Sequence, residues 1–328
     1  MQIMIHDPIL IRNLELKNRL VMPPMQTDRS DLGHVTDHMV QYYADRARYS
    51  RPGLIISEHC CITEQGRASR NQFSIAEDNC IAEHRQVTDA IHGAGSRVFI
   101  QLNHAGNAAE PLHGEELVSA SDVRSLRKTE TPAPRPLTAE EIKALQLCFA
   151  DAAERAISAG YDGVEIHSAH GYLLNQFYSP LTNHRDDAYG FGTLENRLRF
   201  LLETVASVRN RIGPDVPLAV RLGGADYMSG GSTEEDAVEA CRLLEAVGVD
   251  LLDISGGMCG YIRPGVKGAG YFGSMTEKIK KSVSVPVLLT GGITKLEEAV
   301  ALLQEGKADL IGVGRALFRD AHWLESQQ

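Results

Sequence analysis

The chain has 328 residues, 43% of them hydrophobic and 23% charged, with a formal net charge of −10. An acidic chain gains nothing from displacing the counterions of a polyanion, which excludes nucleic acid as the expected partner. No apolar run reaches the roughly 18 residues that a membrane span needs, so no membrane contact is expected. Residues Met1–Leu10 carry Asp7 and Pro8 and lack a basic-then-apolar leader, which predicts a cytoplasmic protein. Cys60, Cys61, Cys80, Cys148, Cys241 and Cys259 form no Cys-x-x-Cys pair and are too dilute for a disulfide framework. Reduced thiols and no metal site are the expectation.

Eight short apolar runs follow one another: Arg19–Pro23, Leu54–Glu58, Arg97–Leu102, Gly163–His167, Pro217–Leu222, Asp250–Ile254, Pro286–Thr290 and Asp309–Val313. Each is short and continuous enough for a strand buried on both faces. The stretches between them have helical character, among them Asp37–Ser50 and Glu77–Ala94. Thr138 and Glu141 have capping-box spacing, Thr233 and Asp236 precede Ala237–Val247, and Thr294–Gly306 ends in the glycine common at helix C-termini. Eight β–α units predict one (β/α)8 barrel over residues 1–328, with the active site at the C-terminal ends of the strands. An open doubly wound sheet is the runner-up. It would carry Gly-x-Gly-x-x-Gly after its first strand, where this chain reads Pro23-Pro24-Met25. Two insertions follow the third and fourth strands, a loop over 104–137 and an extension over 179–194. Both fall on the active-site face, where long loops are lid candidates.

Three groups of residues could carry chemistry. His167 and His170 flank the end of the fourth strand in Ile-His-Ser-Ala-His-Gly-Tyr. Both imidazoles could donate N–H bonds to one oxygen on which negative charge develops, and Tyr172 could act as a general acid. Taken alone, such a pair is more often satisfied within its own loop. Thr290-Gly-Gly-Ile and Gly312-Val-Gly-Arg315 end strands seven and eight. There Gly292 and Gly314 could offer backbone N–H groups, and Arg315 a charge-assisted bond, to a phosphate. Gln101 and Arg221 sit near the ends of strands three and five. A Gln amide suits the alternating donors and acceptors of a flavin pyrimidine edge, and an Arg suits negative charge on a reduced flavin.

These segments, with Lys17-Asn-Arg-Leu-Val-Met-Pro-Pro-Met25, Gln65-Gly-Arg67, Gln101-Leu-Asn-His-Ala-Gly106, Ser179-Pro-Leu-Thr-Asn-His-Arg185 and Glu195-Asn-Arg197, run in order from about residue 5 to 320. Together they make the chain resemble the Old Yellow Enzyme family of FMN-dependent ene-reductases, in particular the small bacterial branch and the barrel portion of 2,4-dienoyl-CoA reductases. The resemblance implies noncovalent FMN, backed by Pro23, Pro24, Met25 and Gln26. Gln101 and Arg221 would hold its pyrimidine side, and Gly292, Gly314 and Arg315 its phosphate. It implies hydride transfer from NAD(P)H through FMN to the β-carbon of an electron-poor alkene, such as an α,β-unsaturated carbonyl compound. His167 and His170 would hold the carbonyl oxygen and Tyr172 would protonate carbon. The Asn183–Arg185 and Glu195–Arg197 segments would hold their loop together.

The chain departs from the pattern at three positions. Gln26 stands where many relatives have Thr or Cys near the flavin O4, Asp28 where some have a substrate-facing Tyr, and Asn107 where an Arg is frequent. The resemblance makes the nicotinamide the direct electron source and leaves a homo-oligomer open. Oxygen or a quinone as acceptor is an alternative. A different class, a phosphate-binding aldolase or isomerase, would use Glu58 or Glu165 as its base. A flavin-binding protein without turnover is the third reading.

Overall fold

All eight runs are strands in the computed structural model, which describes residues 4–327. They are β1 (Leu20–Met22), β2 (Leu54–Cys61), β3 (Arg97–Asn103), β4 (Gly163–Ser168), β5 (Leu218–Ala225), β6 (Leu251–Gly256), β7 (Val287–Thr290) and β8 (Leu310–Gly312). They pair in parallel, each with the next, and the sheet closes where β8 pairs with β1 through Ile311↔Leu20 and Gly312↔Val21. Closure excludes the doubly wound alternative and gives the (β/α)8 barrel.

The helices that follow the strands are α1 (Asp37–Asp45), α2 (Cys80–Gly93), α3 (Ala139–Ser158), α4 (Leu194–Ile212), α5 (Glu234–Ala246), α6 (Gly273–Lys280), α7 (Leu296–Gln304) and the short α8 (Arg315–Arg319). Four of them start on threonine. The hydroxyls of Thr36, Thr138, Thr193 and Thr233 accept from the N–H groups of Met39, Glu141, Asn196 and Asp236. Each removes one of the free donors at a helix start. At Thr138 and Thr233 the acidic side chain three residues on reaches back to complete a capping box. The helical stretch runs to Ser50, as its sequence suggests, but α-helical geometry ends at Asp45. Arg46–Ser50 is a π-turn, and the Arg46 guanidinium donates to the carbonyls of Tyr42, Leu317 and Phe318.

Period-two alternation divides each strand between two cores. Ile55, Val98, Ile100, Val164, Ile166, Val220, Leu252 and Ile254 face outward and pack with the helices. Val21, Leu54, Ile56, Phe99, Ala219, Leu251, Leu288 and Leu310 face inward and form an apolar plug. An N-terminal hairpin, Ile9–Ile11 against Leu14–Leu16, seals that plug with Ile11 and Leu16. Gly163 is required here, because a Cβ would run into the Phe99 ring.

The 104–137 insertion is held down at several points. It contains a short parallel ladder, Val118–Ser119 with Arg135–Pro136. Gln176, on a short helix after β4 (Leu173–Tyr178), bonds Ala105 O and Asn107 Oδ1 and accepts from Ser119 Oγ. Arg185 donates to the carbonyls of Ala120 and Leu137, and Asn183 to those of Phe177 and Tyr189. The Asn183–Arg185 segment is thus bonded to both insertions. Among the described residues no helix is long and apolar enough to cross a membrane.

Candidate active site

Two residues above the plug, the inward positions change character. Gln101, Glu165, Arg221, Asp253 and Thr290 replace hydrocarbon on β3 to β7. Gln101 donates its amide N–H to Glu165 Oε1 at 2.8 Å. Arg221 Nε lies 3.2 Å from Asp253 Oδ2, both side chains being buried. Of the two buried carboxylates, Asp253 alone is paired with the guanidinium. Burial, then the Asp253 charge, pushes the Glu165 carboxyl well above its usual range. Burial also raises Asp253, against the pull of Arg221. The Asp253 charge thus adds to burial in disfavouring the ionised form of Glu165.

On this layer stands a cavity of about 360 Å³, within the roughly 300–1,000 Å³ of small-molecule sites. Pro24, Met25, Gln26, Gln101, His167, His170, Tyr172, Arg221, Gly292, Gly314 and Arg315 all line it. Of the residues that the resemblance assigns to flavin or substrate, Pro23 alone is not part of the lining. It packs against Gly314, where a Cβ would lie 3.5 Å from Pro23 Cγ and 3.2 Å from Met25 Sδ.

One end is a glycine cradle. Gly291 and Gly292 have φ of 149° and 69°. A side chain on Gly292 would strike the Gly268 carbonyl and Tyr271, and one on Gly312 would strike Thr290. Arg315 faces the cavity beside this cradle with neither carboxylate nor carbonyl partner among the described residues. A free guanidinium over uncovered backbone fits a phosphate. At the other end Gln101 keeps its carbonyl oxygen and one N–H free, next to Arg221. That pairing fits a heteroaromatic imide edge. The two ends together suit FMN.

The third wall holds two imidazoles and a phenol. His167 and His170 rings are 5.1 Å apart at 82°, and Tyr172 lies 5.2 Å from His167. His167 Nδ1 is buried without a partner, and neither ring nitrogen is tied to another residue among the described residues, which leaves an N–H free for a ligand. His170 Nε2 is 2.7 Å from Ser255 Oγ. A hydroxyl donated there leaves the His170 proton on Nδ1. Both rings are held well below the usual imidazole range, first by burial, then by neighbouring imidazoles and by Arg221 and Arg127. Both are neutral near pH 7. Burial raises the Tyr172 phenol, with Arg127 opposing, so it keeps its proton.

The sequence pattern of the NADH:flavin oxidoreductase / NADH oxidase family matches residues 4–328. The chain belongs to this family. It is 38% identical over 315 residues to an NADPH dehydrogenase of Bacillus subtilis, covering 95% of this chain and 90% of that one. It is 38% identical to an NADH oxidase of Thermoanaerobacter brockii over 95% of this chain and 49% of the relative. A metal reductase of Desulforamulus reducens gives 39%, 96% and 47%. The chain thus spans about half the length of these last two relatives. Among solved structures it superposes on 2-naphthoyl-CoA reductase with a TM-score of 0.92 at 28% identity, over 98% of this chain and 51% of that one. For the Old Yellow Enzyme homologue of Zymomonas mobilis the values are 0.82, 31%, 96% and 89%. FMN is the cofactor that goes with the family, and the residues of the cavity fit it.

Two site features of this family member were not legible in its sequence. His59 lines the cavity although β2 seemed to end at Glu58. The strand runs on to Cys61, and its register with β3 shifts between Ile56 and His59. The shift turns Glu58 outward, where Thr27 N, Thr27 Oγ1 and Tyr43 Oη donate to it. Glu58 is therefore a structural acceptor and not the base of an aldolase, and Glu165 lies beneath the cavity on Gln101. His59 Nδ1 accepts from the amides of Gln72 and Asn103 at 2.8 and 3.1 Å, so its Nε2–H donates to Gln26 Oε1 at 3.2 Å. Burial, with Lys128 and Arg221 adding to it, lowers this ring to about 4. Gln26 Nε2 is taken by Asp28 Oδ1 at 2.7 Å and Ser69 Oγ at 2.9 Å. Both N–H groups of the Gln26 amide are thus spent within the protein, unlike a hydroxyl or thiol free to turn to a ligand. The second feature is Arg127, from the 104–137 insertion, which also lines the cavity.

Proposed function

We propose that this protein reduces electron-poor alkenes, with NAD(P)H as the electron source, FMN as the carrier and α,β-unsaturated carbonyl compounds as the substrate class. The observation that carries this reading is the Tyr172 hydroxyl. It meets no hydrogen-bonding partner among the described residues and faces the cavity shared with two neutral imidazoles. Bound flavin supplies hydride transfer from the nicotinamide to the alkene β-carbon.

The protein's part is position and charge. Arg315 and the Gly292 and Gly314 main chain hold the phosphate; Gln101 and Arg221 hold the imide edge. The N–H groups of His167 and His170 converge on a carbonyl oxygen and strengthen as charge builds on it. They do this as neutral donors, which spares the site a permanent cation next to Arg221. Tyr172 keeps its proton through the neutral range and releases it to the α-carbon.

Tyr172→Phe tests the reading. Reduction by NAD(P)H involves no proton on substrate carbon and should proceed near the wild-type rate. Alkene reduction should slow by about 10²–10⁴-fold, the usual contribution of a positioned general acid. Rapid mixing resolves the halves. Equal slowing of both would make Tyr172 structural. Efficient turnover with oxygen or quinone and none with any enone would move the function to those acceptors.

A further inference from the structure

The cavity is lined by three guanidinium groups. Arg315 faces the phosphate cradle and Arg221 is shared with Asp253. Arg127 has no such assignment. Its Nη1 donates to the His170 carbonyl at 2.7 Å, and among the described residues no carboxylate lies within ion-pair distance of it. Its side chain runs along the main chain of Gly171 and Gly260, both at φ 74°. A Cβ on either would sit 3.4 Å from Arg127 Cδ or Cζ. The side chain is thus laid in a slot beside His170 and Tyr261, with most of its N–H donors unused. Lys128, the next residue, is by contrast neutralised by Glu110.

We propose that Arg127 receives an anionic oxygen group, a carboxylate or a phosphate, carried by the molecule that enters the cavity over the flavin site. This deepens the alkene-reductase reading and rests on it. The geometry selects ligands with an anionic group a few atoms from the oxygen held by His167 and His170. A charge otherwise unpaired at a cavity mouth also steers such ligands inward. Two sources share this chemistry, an acidic group on the alkene substrate and the phosphates of the dinucleotide.

The test compares the holoenzyme with Arg127→Gln and Arg127→Lys, using an enone that bears a carboxylate and its methyl ester. In Arg127→Gln the acid-to-ester ratio of kcat/KM should fall about ten- to a hundredfold, as a lost charge-assisted bond implies. Arg127→Lys should recover much of it. If that ratio holds while NADH and NADPH bind about tenfold more weakly, the anion is the dinucleotide phosphate. No change in either, or an equal loss on acid and ester with a lowered Tm, would overturn the proposal and leave Arg127 as a tie between the loop and His170. Titration with 4-hydroxybenzoate and its methyl ester, followed by flavin absorbance, reads the anion preference without turnover. If the wild type reduces neither enone yet prefers the benzoate, the functional reading fails and the anion site stands.

Discussion

Phe99 and Gln101 point the same way from β3, two residues apart, yet one belongs to the apolar plug and the other to the wall of a ligand cavity. The same step separates Ala219 from Arg221 on β5 and Leu251 from Asp253 on β6. Below the step every inward group is hydrocarbon. Above it several buried polar atoms lack hydrogen-bond partners, among them Glu165 Oε2, Asp253 Oδ1, His167 Nδ1 and Thr290 Oγ1. Buried polar groups are normally paired, so this concentration of orphans marks the end of the barrel that is built for a ligand rather than for stability.

Acid should separate the two ends most strongly. His59 and His104, at the upper end, and His84, bonded to Tyr161 and Ser74 in the outer shell, are all lowered by burial to about 4. Rings that stay neutral in the fold but charge near 6.5 when unfolded stabilise it fully above pH 6.5. That stabilisation is lost as pH falls from there toward 4, on the order of 3 kcal/mol per ring. His92, raised mainly by its bond to Asp162, works the other way. Tm measured from pH 8 to 5 should therefore drop below about 6.5; a flat profile would show that these rings are already charged in the fold.

Phe99→Ala removes the largest side chain of the plug and should cost about 3–5 kcal/mol. Because the plug holds no titratable group, the loss should be the same at every pH, shifting the stability curve without bending it. A pH-dependent loss in urea melts would mean that the two layers are coupled. Arg315→Ala should do the reverse. FMN affinity should weaken by about one to two decades, while the unfolding free energy of the apoprotein stays within about 0.5 kcal/mol of wild type. Unchanged flavin titration would place the phosphate elsewhere. The smallest effect lies outside both layers. Thr138→Ala breaks the α3 capping box and should cost about 1 kcal/mol with no change in flavin affinity.

The eight strands and several helix starts could be read from the chain because their causes are local. A short apolar run, a threonine three residues ahead of an acid, or a glycine at a helix end acts within a turn or two. The inward placement of His167, Arg221 and Gln101 followed from strand ends in the same way. His59 could not be found so, because the register shift after Ile56 arises from pairing with β3 and leaves no trace in β2 itself. Nor could the engagement of Gln26 by Ser69 and His59, which come from distant segments, or the path that brings Arg127 from a long loop back to His170. The sequence by itself determined which segments are strands and which side chains alternate. Closure of the barrel, a nonlocal event that fixes register all the way round, decided which of those side chains share one cavity and which buried groups are left without partners.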